Sequence, residues 1–229
     1  MSLHIAAPAE ALRRRCEATT VRTTSGECGY EDGAVVPSGP WQPLSDALFR
    51  RVMAPTTADT LIELVEATAI EPHVLNAPHV TRLGCADSPG LALTTTVNYP
   101  DSTRIGLHLD NWDKLNYRDK ASGRRRLCVN LGPGTRYLLV CDIDIQAICR
   151  AVRPDYATCY PHTDDLRAYA AATLPMTCLR IRLAPGDGYV APTEFLPHDG
   201  STEDCAAPSS AAFWLGRWPR GAFGSRPVR

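Results

Sequence analysis

The chain has 229 residues, of which 44% are apolar and 21% are charged, and its formal net charge is -1. These values are typical of one globular domain with a buried core. A net charge so close to zero does not favour nucleic acid or an anionic membrane as a partner. No uncharged apolar stretch reaches the roughly 18 residues that a membrane-spanning helix requires. We therefore expect residues 1–229 to form a single soluble domain that binds neither nucleic acid nor membrane.

Nine cysteines are spread along the chain, and no two of them form a C-x-x-C pair. An odd number without that spacing gives little support to a zinc knuckle or a redox dithiol. The N-terminal stretch MSLHIAAPAEALRRRC lacks the apolar core of a secretory signal, because arginines soon follow its few apolar residues. We expect reduced cysteines and a cytoplasmic location.

Two units are predicted before residue 70. Closely spaced glycines and prolines in residues 1–40 predict an irregular segment that covers the surface or forms a lid. Within residues 43–70, PLSDALFRRVM and TTADTLIELVEATAI have apolar residues at helical spacing. In the second stretch, Leu61, Leu64 and Val65 would share one helical face. The pattern predicts two short helices here.

Short segments rich in β-branched and aromatic residues follow from about residue 79, and Gly, Pro, Asn or Asp residues separate them. Eight such segments are typical of a sandwich or barrel, and the jelly roll is one eight-strand solution. They are HVTRLGC, LALTTTVNY, RIGLHLD, RRLCVNLG, RYLLVCDI, CLRIRLAPG, GYVAPT and AAFWLGRW. We predict a mainly β fold with flanking helices, with a jelly-roll core over 79–220 and a helical insert at about 142–175.

One of these segments, IGLHLDNW, ends in the pair His108-x-Asp110. Side chains at i and i+2 of a strand point to the same face, so His108 and Asp110 would project together while Leu107 and Leu109 pack on the other side. A second histidine, His198, follows the strand-turn-strand pattern CLRIRLAPGDGYVAP. Two imidazoles and one carboxylate form the facial triad of non-haem Fe(II) oxygenases, which leaves coordination positions free.

The motifs GLHLDNW, RRLCVNLGPGTRYLLV, APGDGYVAPTEFLPHDG and FWLGRW, in that order, resemble the Fe(II)/2-oxoglutarate-dependent oxygenases over roughly residues 80–220. The resemblance implies a double-stranded β-helix (cupin-like) core, Fe(II) bound by His108, Asp110 and His198, and 2-oxoglutarate and dioxygen as co-substrates. It assigns Arg217 to the distal carboxylate of 2-oxoglutarate. The segment between His198 and Arg217 is longer than is usual in the family, so Arg126 is the alternative and Arg220 a third candidate.

A small molecule, such as an amino acid or a natural-product intermediate, is the expected substrate, and hydroxylation is the expected reaction. Asn98, Tyr99 and Trp112 flank the predicted metal end of their strands and are candidates to contact it. Two other functions stay open at this point: a cupin-type metal dioxygenase that does not use 2-oxoglutarate, and a non-catalytic β-sandwich binding module. The sequence does not indicate the oligomeric state.

Overall fold

A computed structural model of the chain describes residues 3–54 and 56–223. The fold is mainly β, as predicted, with 38% of residues in strands and 20% in helices. In the described part, the strands are β1 (Ile5–Ala6), β2 (Cys16–Thr23), β3 (Tyr30–Pro43), β4 (Ile62–Glu66), β5 (Thr81–Ser88), β6 (Arg104–Gly106), β7 (Arg125–Pro133), β8 (Arg136–Cys141), β9 (Cys178–Leu183), β10 (Asp187–Ala191), β11 (His198–Ser201) and β12 (Ser209–Gly216). The helices are α1 (Ala9–Arg15), α2 (Asp46–Val52), α3 (Pro72–Leu75), α4 (Ile145–Val152) and α5 (Thr163–Ala171), with 3-10 turns at Thr57–Asp59, Ala67–Ala69 and Lys120–Ser122.

The strands form two six-stranded sheets. The first sheet has the order β1-β4-β10-β7-β12-β5, and the second has the order β11-β8-β9-β2-β3-β6. Most neighbours are antiparallel, but β1 is parallel to β4 and β3 is parallel to β6. The chain just after β6 also reaches the opposite edge of the second sheet, because His108 forms an antiparallel bridge with His198 at the start of β11.

The side chains of strand β7 alternate between the outer and the inner face of the first sheet. Leu127 and Val129 belong to a small apolar cluster with Val190 and Trp218 on the outer side of the first sheet. Cys128, between them in the sequence, belongs to the large core cluster that both sheets share. Because side chains alternate along a strand, Arg126 lies on the same inner face as Cys128.

The helical insert predicted at about 142–175 is confirmed by α4 and α5. Asp144 caps α4 by accepting a hydrogen bond from the backbone N–H of Ala147 at 2.8 Å. Helix α5 lies against α4 and against β2 and β3. None of the helices in the described residues is long and apolar enough to cross a membrane.

The prediction that residues 1–40 are irregular was wrong. They contain α1, β2 and most of β3, and β2 pairs with both β3 and β9 inside the second sheet. Val35 and Val36 of β3 are fully buried. The glycines that suggested an irregular segment include Gly26 and Gly29, which lie in the turn between the two strands and have positive φ.

Of the two helices predicted within 43–70, one is present and the other is not. The first is α2, and Ser45 caps it by accepting a hydrogen bond from Leu48 N at 3.2 Å. The second was wrong, because residues 62–66 form strand β4 between β1 and β10. All of residues 62–65 are buried, Glu63 included. A strand that is buried on both faces has no alternating pattern, so its apolar run matches helical spacing equally well.

One of the eight predicted strands was also wrong. Residues 91–99 form no regular strand, and within the described chain they contribute only an isolated bridge from Val97 to Arg104. The other seven predicted segments overlap β5, β6, β7, β8, β9, β10 and β12.

Candidate metal centre

His108 and His198 are held side by side by backbone pairing. His108 N donates to His198 O at 3.0 Å, and His198 N donates to His108 O at 2.9 Å. Residues paired in this way project to the same face of a sheet. The two imidazole centroids are accordingly 4.7 Å apart, although the residues are far apart in the sequence.

Asp110 completes a group of three side chains on this face. Its Oδ1 lies 3.8 Å from His108 Nε2, and its Oδ2 lies 3.8 Å from His198 Nε2. One ligand atom from each residue lies within 4.8 Å of the other two, which is close enough for one metal ion to contact all three. Leu107 and Leu109 are buried in the large core cluster on the other side, as the alternation predicted.

Both histidines present Nε2 to the group. His108 Nδ1 hydrogen-bonds to Gly106 O at 2.8 Å, and His198 Nδ1 hydrogen-bonds to Leu196 O at 3.0 Å. A carbonyl oxygen only accepts, so each Nδ1 carries a proton. In the neutral form of such a ring the lone pair is on Nε2. Metal-binding histidines in proteins are oriented by this kind of hydrogen bond.

The Nε2 atom of His198 is buried and has no hydrogen-bond partner among the described residues. Burial, with the nearby Arg126 charge as the next cause, holds the pKa of His198 well below its usual value, so the ring stays neutral. A buried acceptor without a donor costs free energy unless something binds to it. The donor set therefore fits a divalent metal ion.

Asp110 is ionised in this environment. Burial alone would raise the pKa of Asp110, but the adjacent positive charge of Arg126 outweighs it and holds that pKa well below its usual range. The Arg126 Nη1 atom donates to Asp110 Oδ2 at 2.9 Å, and its Nη2 donates to the Tyr189 hydroxyl at 3.1 Å. The guanidinium lies 5.4 Å from the Phe213 ring centroid. Its Nε has no hydrogen-bond partner within the described chain.

Arg217 is not brought to this group. Strand β12 ends at Gly216, and Arg217 projects from the rim, where it is exposed and donates to Ser122 O at 3.3 Å. Arg220 is also remote from the triad, because it donates to Ala58 O. Of the three arginines considered from the sequence, the structure places only Arg126 beside Asp110.

A fourth arginine, Arg136, was missed by the sequence reasoning. It is the first residue of β8, it is only 5% exposed, and its Nη1 has no hydrogen-bond partner in the described part of the chain. A Cβ at Gly200 would lie 2.7 Å from Arg136 Nη2, so the glycine makes room for the guanidinium. In the sequence, Arg136 follows the turn GPGT and resembles an exposed turn residue.

The Arg136 charge acts on the same inner residues as Arg126. Burial raises the pKa values of Tyr189 and Cys128, and both guanidiniums oppose that increase. Tyr189 and Cys128 are register partners on β10 and β7. Two buried cations thus face one part of the interior next to the three metal-ligand candidates.

The predicted substrate-contact residues lie away from this interior. Tyr99 is 96% exposed on a turn, and Asn98 forms the backbone hydrogen bonds of that turn with Ser102 and Thr103. Trp112 is 51% exposed, two residues beyond Asp110. None of the three belongs to the His-Asp-His group among the described residues.

No protein-family model matches the chain, and no curated protein sequence matches it.

Proposed function

We propose that this protein is an Fe(II)- and 2-oxoglutarate-dependent oxygenase that hydroxylates a small molecule. The observation that carries the proposal is the buried group of His108, Asp110 and His198, with a neutral, unpartnered His198 Nε2 in the described chain. Two imidazoles and one carboxylate on one side of an ion leave the remaining coordination positions open. When bound there with 2-oxoglutarate, Fe(II) supplies the dioxygen chemistry that side chains alone do not have.

The strand order supports the jelly-roll part of the proposal. From β5 onward, successive strands belong to the first, second, first, second, second, first, second and first sheet. In this order, β6 and the two residues that follow it, 107 and 108, count as one strand. That strand reaches β11 through the His108–His198 bridge. An eight-strand core that alternates in this way is the expected arrangement of a jelly roll. Its ligand candidates lie inside, between the two sheets.

Arg126 and Arg136 support the use of an acidic co-substrate. Arg126 already has a carboxylate partner in Asp110, whereas Arg136 has no ion-pair or hydrogen-bond partner among the residues described. A buried guanidinium without a counter-ion is costly, and a carboxylate is its best bidentate partner. We therefore assign the distal carboxylate of 2-oxoglutarate to Arg136 instead of Arg217, with Arg126 and the Tyr189 hydroxyl facing the same space.

The chain's own residues would hold and shield the reacting groups. Arg126 orients the Asp110 carboxylate through their ion pair, and backbone carbonyls orient the two imidazoles. Leu107 and Leu109 exclude water from the opposite side of the ligand segment.

The test is release of succinate from 2-oxoglutarate by protein reconstituted anaerobically with Fe(II) and then exposed to oxygen. A panel of amino acids and small metabolites is screened for compounds that stimulate it. We expect Fe(II)-dependent succinate that His198→Ala abolishes. Oxygen consumption with a substrate but without 2-oxoglutarate would indicate the cupin-type dioxygenase instead. Failure of the wild-type protein to bind Fe(II) would favour the non-catalytic module.

A further inference from the structure

Lys120 is a fully buried lysine in the loop between the metal-ligand segment and β7. It is 0% exposed and lies in the 3-10 turn Lys120–Ser122. Its Nζ donates to Glu194 Oε2 at 3.2 Å and to Asn111 Oδ1 at 3.3 Å. Glu194 is itself 2% exposed. A buried ammonium is tolerated only when its charge is paired in this way.

The two partners of Lys120 belong to the two segments that carry the metal-ligand candidates. Asn111 directly follows Asp110, and Glu194 lies four residues before His198. Asp110 N donates to Thr193 O at 3.1 Å, so the two segments also contact each other at Asp110 itself.

The two partners of Lys120 each accept a further hydrogen bond. Glu194 Oε1 accepts a hydrogen bond from Asp113 N, so one carboxylate holds both the lysine and the loop backbone. The Tyr160 hydroxyl donates to Asn111 Oδ1, and its ring centroid lies 5.2 Å from Lys120 Nζ. The ammonium is thereby enclosed by an amide oxygen, a carboxylate and an aromatic ring.

We infer that Lys120 is a positioning residue for the metal centre: through Glu194 and Asn111, it fixes the Asp110 segment against the segment that leads to His198. A buried ion pair adds little stability over an apolar pair of similar volume, so stability alone does not account for it. Ligands from distant parts of the chain must instead be held at a fixed separation, and residues behind the ligands usually provide this. The inference rests on the proposed metal centre.

The chain offers a matched control in Glu63 and Arg125 on the outer side of the first sheet. Arg125 Nη1 donates to Glu63 Oε1 at 2.6 Å, and both side chains are buried. Glu63 also accepts from the backbone N–H groups of Gly221 and Phe223, much as Glu194 accepts from Asp113. Each pair is therefore a buried cation and a glutamate that also accepts from backbone N–H, but of the two only Lys120–Glu194 joins the ligand segments.

The experiment titrates the full-length apoprotein with Co(II), whose visible absorption reports both affinity and ligand geometry. We expect Lys120→Met to weaken Co(II) binding about 10- to 100-fold, in the range found when residues behind metal ligands are changed, and to alter the spectrum. The double variant Lys120→Met/Glu194→Met leaves no buried unpaired charge, so it should resist urea better than Lys120→Met but bind Co(II) equally weakly. Arg125→Met and Glu63→Met/Arg125→Met should keep the wild-type Co(II) affinity and spectrum.

Wild-type Co(II) binding by the Lys120→Met/Glu194→Met protein would overturn the inference, and this variant decides the matter if Lys120→Met does not fold. Equal weakening by the Glu63 and Arg125 variants would also overturn it, because general destabilisation would then be the cause. If wild-type protein itself fails to bind Co(II), the proposed metal centre fails as well. Failure of the metal centre is therefore seen in the wild-type protein, and failure of the Lys120 inference is seen only in the variants.

Discussion

The outer face of the first sheet and the interior between the two sheets both bury polar and charged side chains, but they satisfy them differently. On the outer face, Glu63 accepts from Arg125 and from two backbone N–H groups, and Arg125 also donates to the carbonyls of Leu61 and Val190. On the inner side, His198 Nε2 and Arg136 Nη1 have no hydrogen-bond partner within the described residues. Buried polar groups with complete partners are structural, whereas unpartnered ones require an explanation. A ligand between the sheets would supply it.

The largest effect is expected at Asp110. Asp110→Ala would remove a proposed metal ligand and also the only ion-pair partner that Arg126 has in the described chain. We expect loss of stoichiometric Fe(II) binding and a decrease of about 3–5 kcal/mol in the free energy of unfolding of the apoprotein, because a buried charge is left unpaired. Metal analysis and urea unfolding measure the two effects. Retained Fe(II) at wild-type stoichiometry would remove Asp110 from the ligand set.

Breaking the outer pair should affect stability alone. Arg125→Met leaves the buried Glu63 without its cation, so the free energy of unfolding should fall by about 3–5 kcal/mol. Because the pair lies on the outer face of the first sheet, away from the triad, Fe(II) affinity should be unchanged. A large loss of Fe(II) affinity in folded Arg125→Met protein would show that the two regions are not independent.

Arg136→Met should weaken 2-oxoglutarate binding without lowering stability, which is the reverse of the effect expected for Arg125→Met. Removing a buried cation that lacks a partner should leave the free energy of unfolding unchanged or increase it by about 1–3 kcal/mol. The Kd for 2-oxoglutarate should rise at least about 10-fold, since a charged hydrogen-bonding contact of about 1.5–3 kcal/mol is lost. Calorimetric titration of the metal-loaded protein measures the Kd. A Kd unchanged from wild type would exclude Arg136 as the carboxylate partner.

The smallest effect is expected at Arg217. Its side chain is exposed and donates a long hydrogen bond to Ser122 O, so Arg217→Ala should change stability by no more than about 0.5 kcal/mol. Binding of 2-oxoglutarate should also be unaffected. An increase in its Kd comparable to that of Arg136→Met would restore Arg217 as the candidate that the sequence suggested.

The sequence predicted the metal-ligand candidates because they depend on local rules. Strand alternation places His108 and Asp110 on one face, and His198 follows the strand-turn-strand pattern that precedes it. The mainly β class and the helical insert were also predictable, since short segments bounded by turn residues are a local signal. Strand β4 was mistaken for a helix because both of its faces are buried, Ile62 and Leu64 in the large core cluster and Val65 in the small one. Those packing partners cannot be identified from the segment itself.

The residues that surround the ligands depend on contacts across the sheets, which explains why most of them were missed. Arg136 and Arg217 are both arginines at a strand end, and only the register of β8 with β11 shows that Arg136 points inward beside Gly200. Lys120 and Glu194 are far apart in the sequence and lie in irregular segments. No periodicity connects such residues, so their pairing appears only in the folded chain.

The most direct test of the central claim is the Fe(II) content of three proteins after anaerobic reconstitution and removal of free metal. Wild-type protein and Glu63→Gln, changed on the outer face, should each retain one Fe(II) per chain, whereas His198→Ala should retain none while keeping its fold by circular dichroism. Stoichiometric Fe(II) in His198→Ala, or no bound Fe(II) in the wild-type protein, would contradict the assignment of His108, Asp110 and His198 as a metal centre.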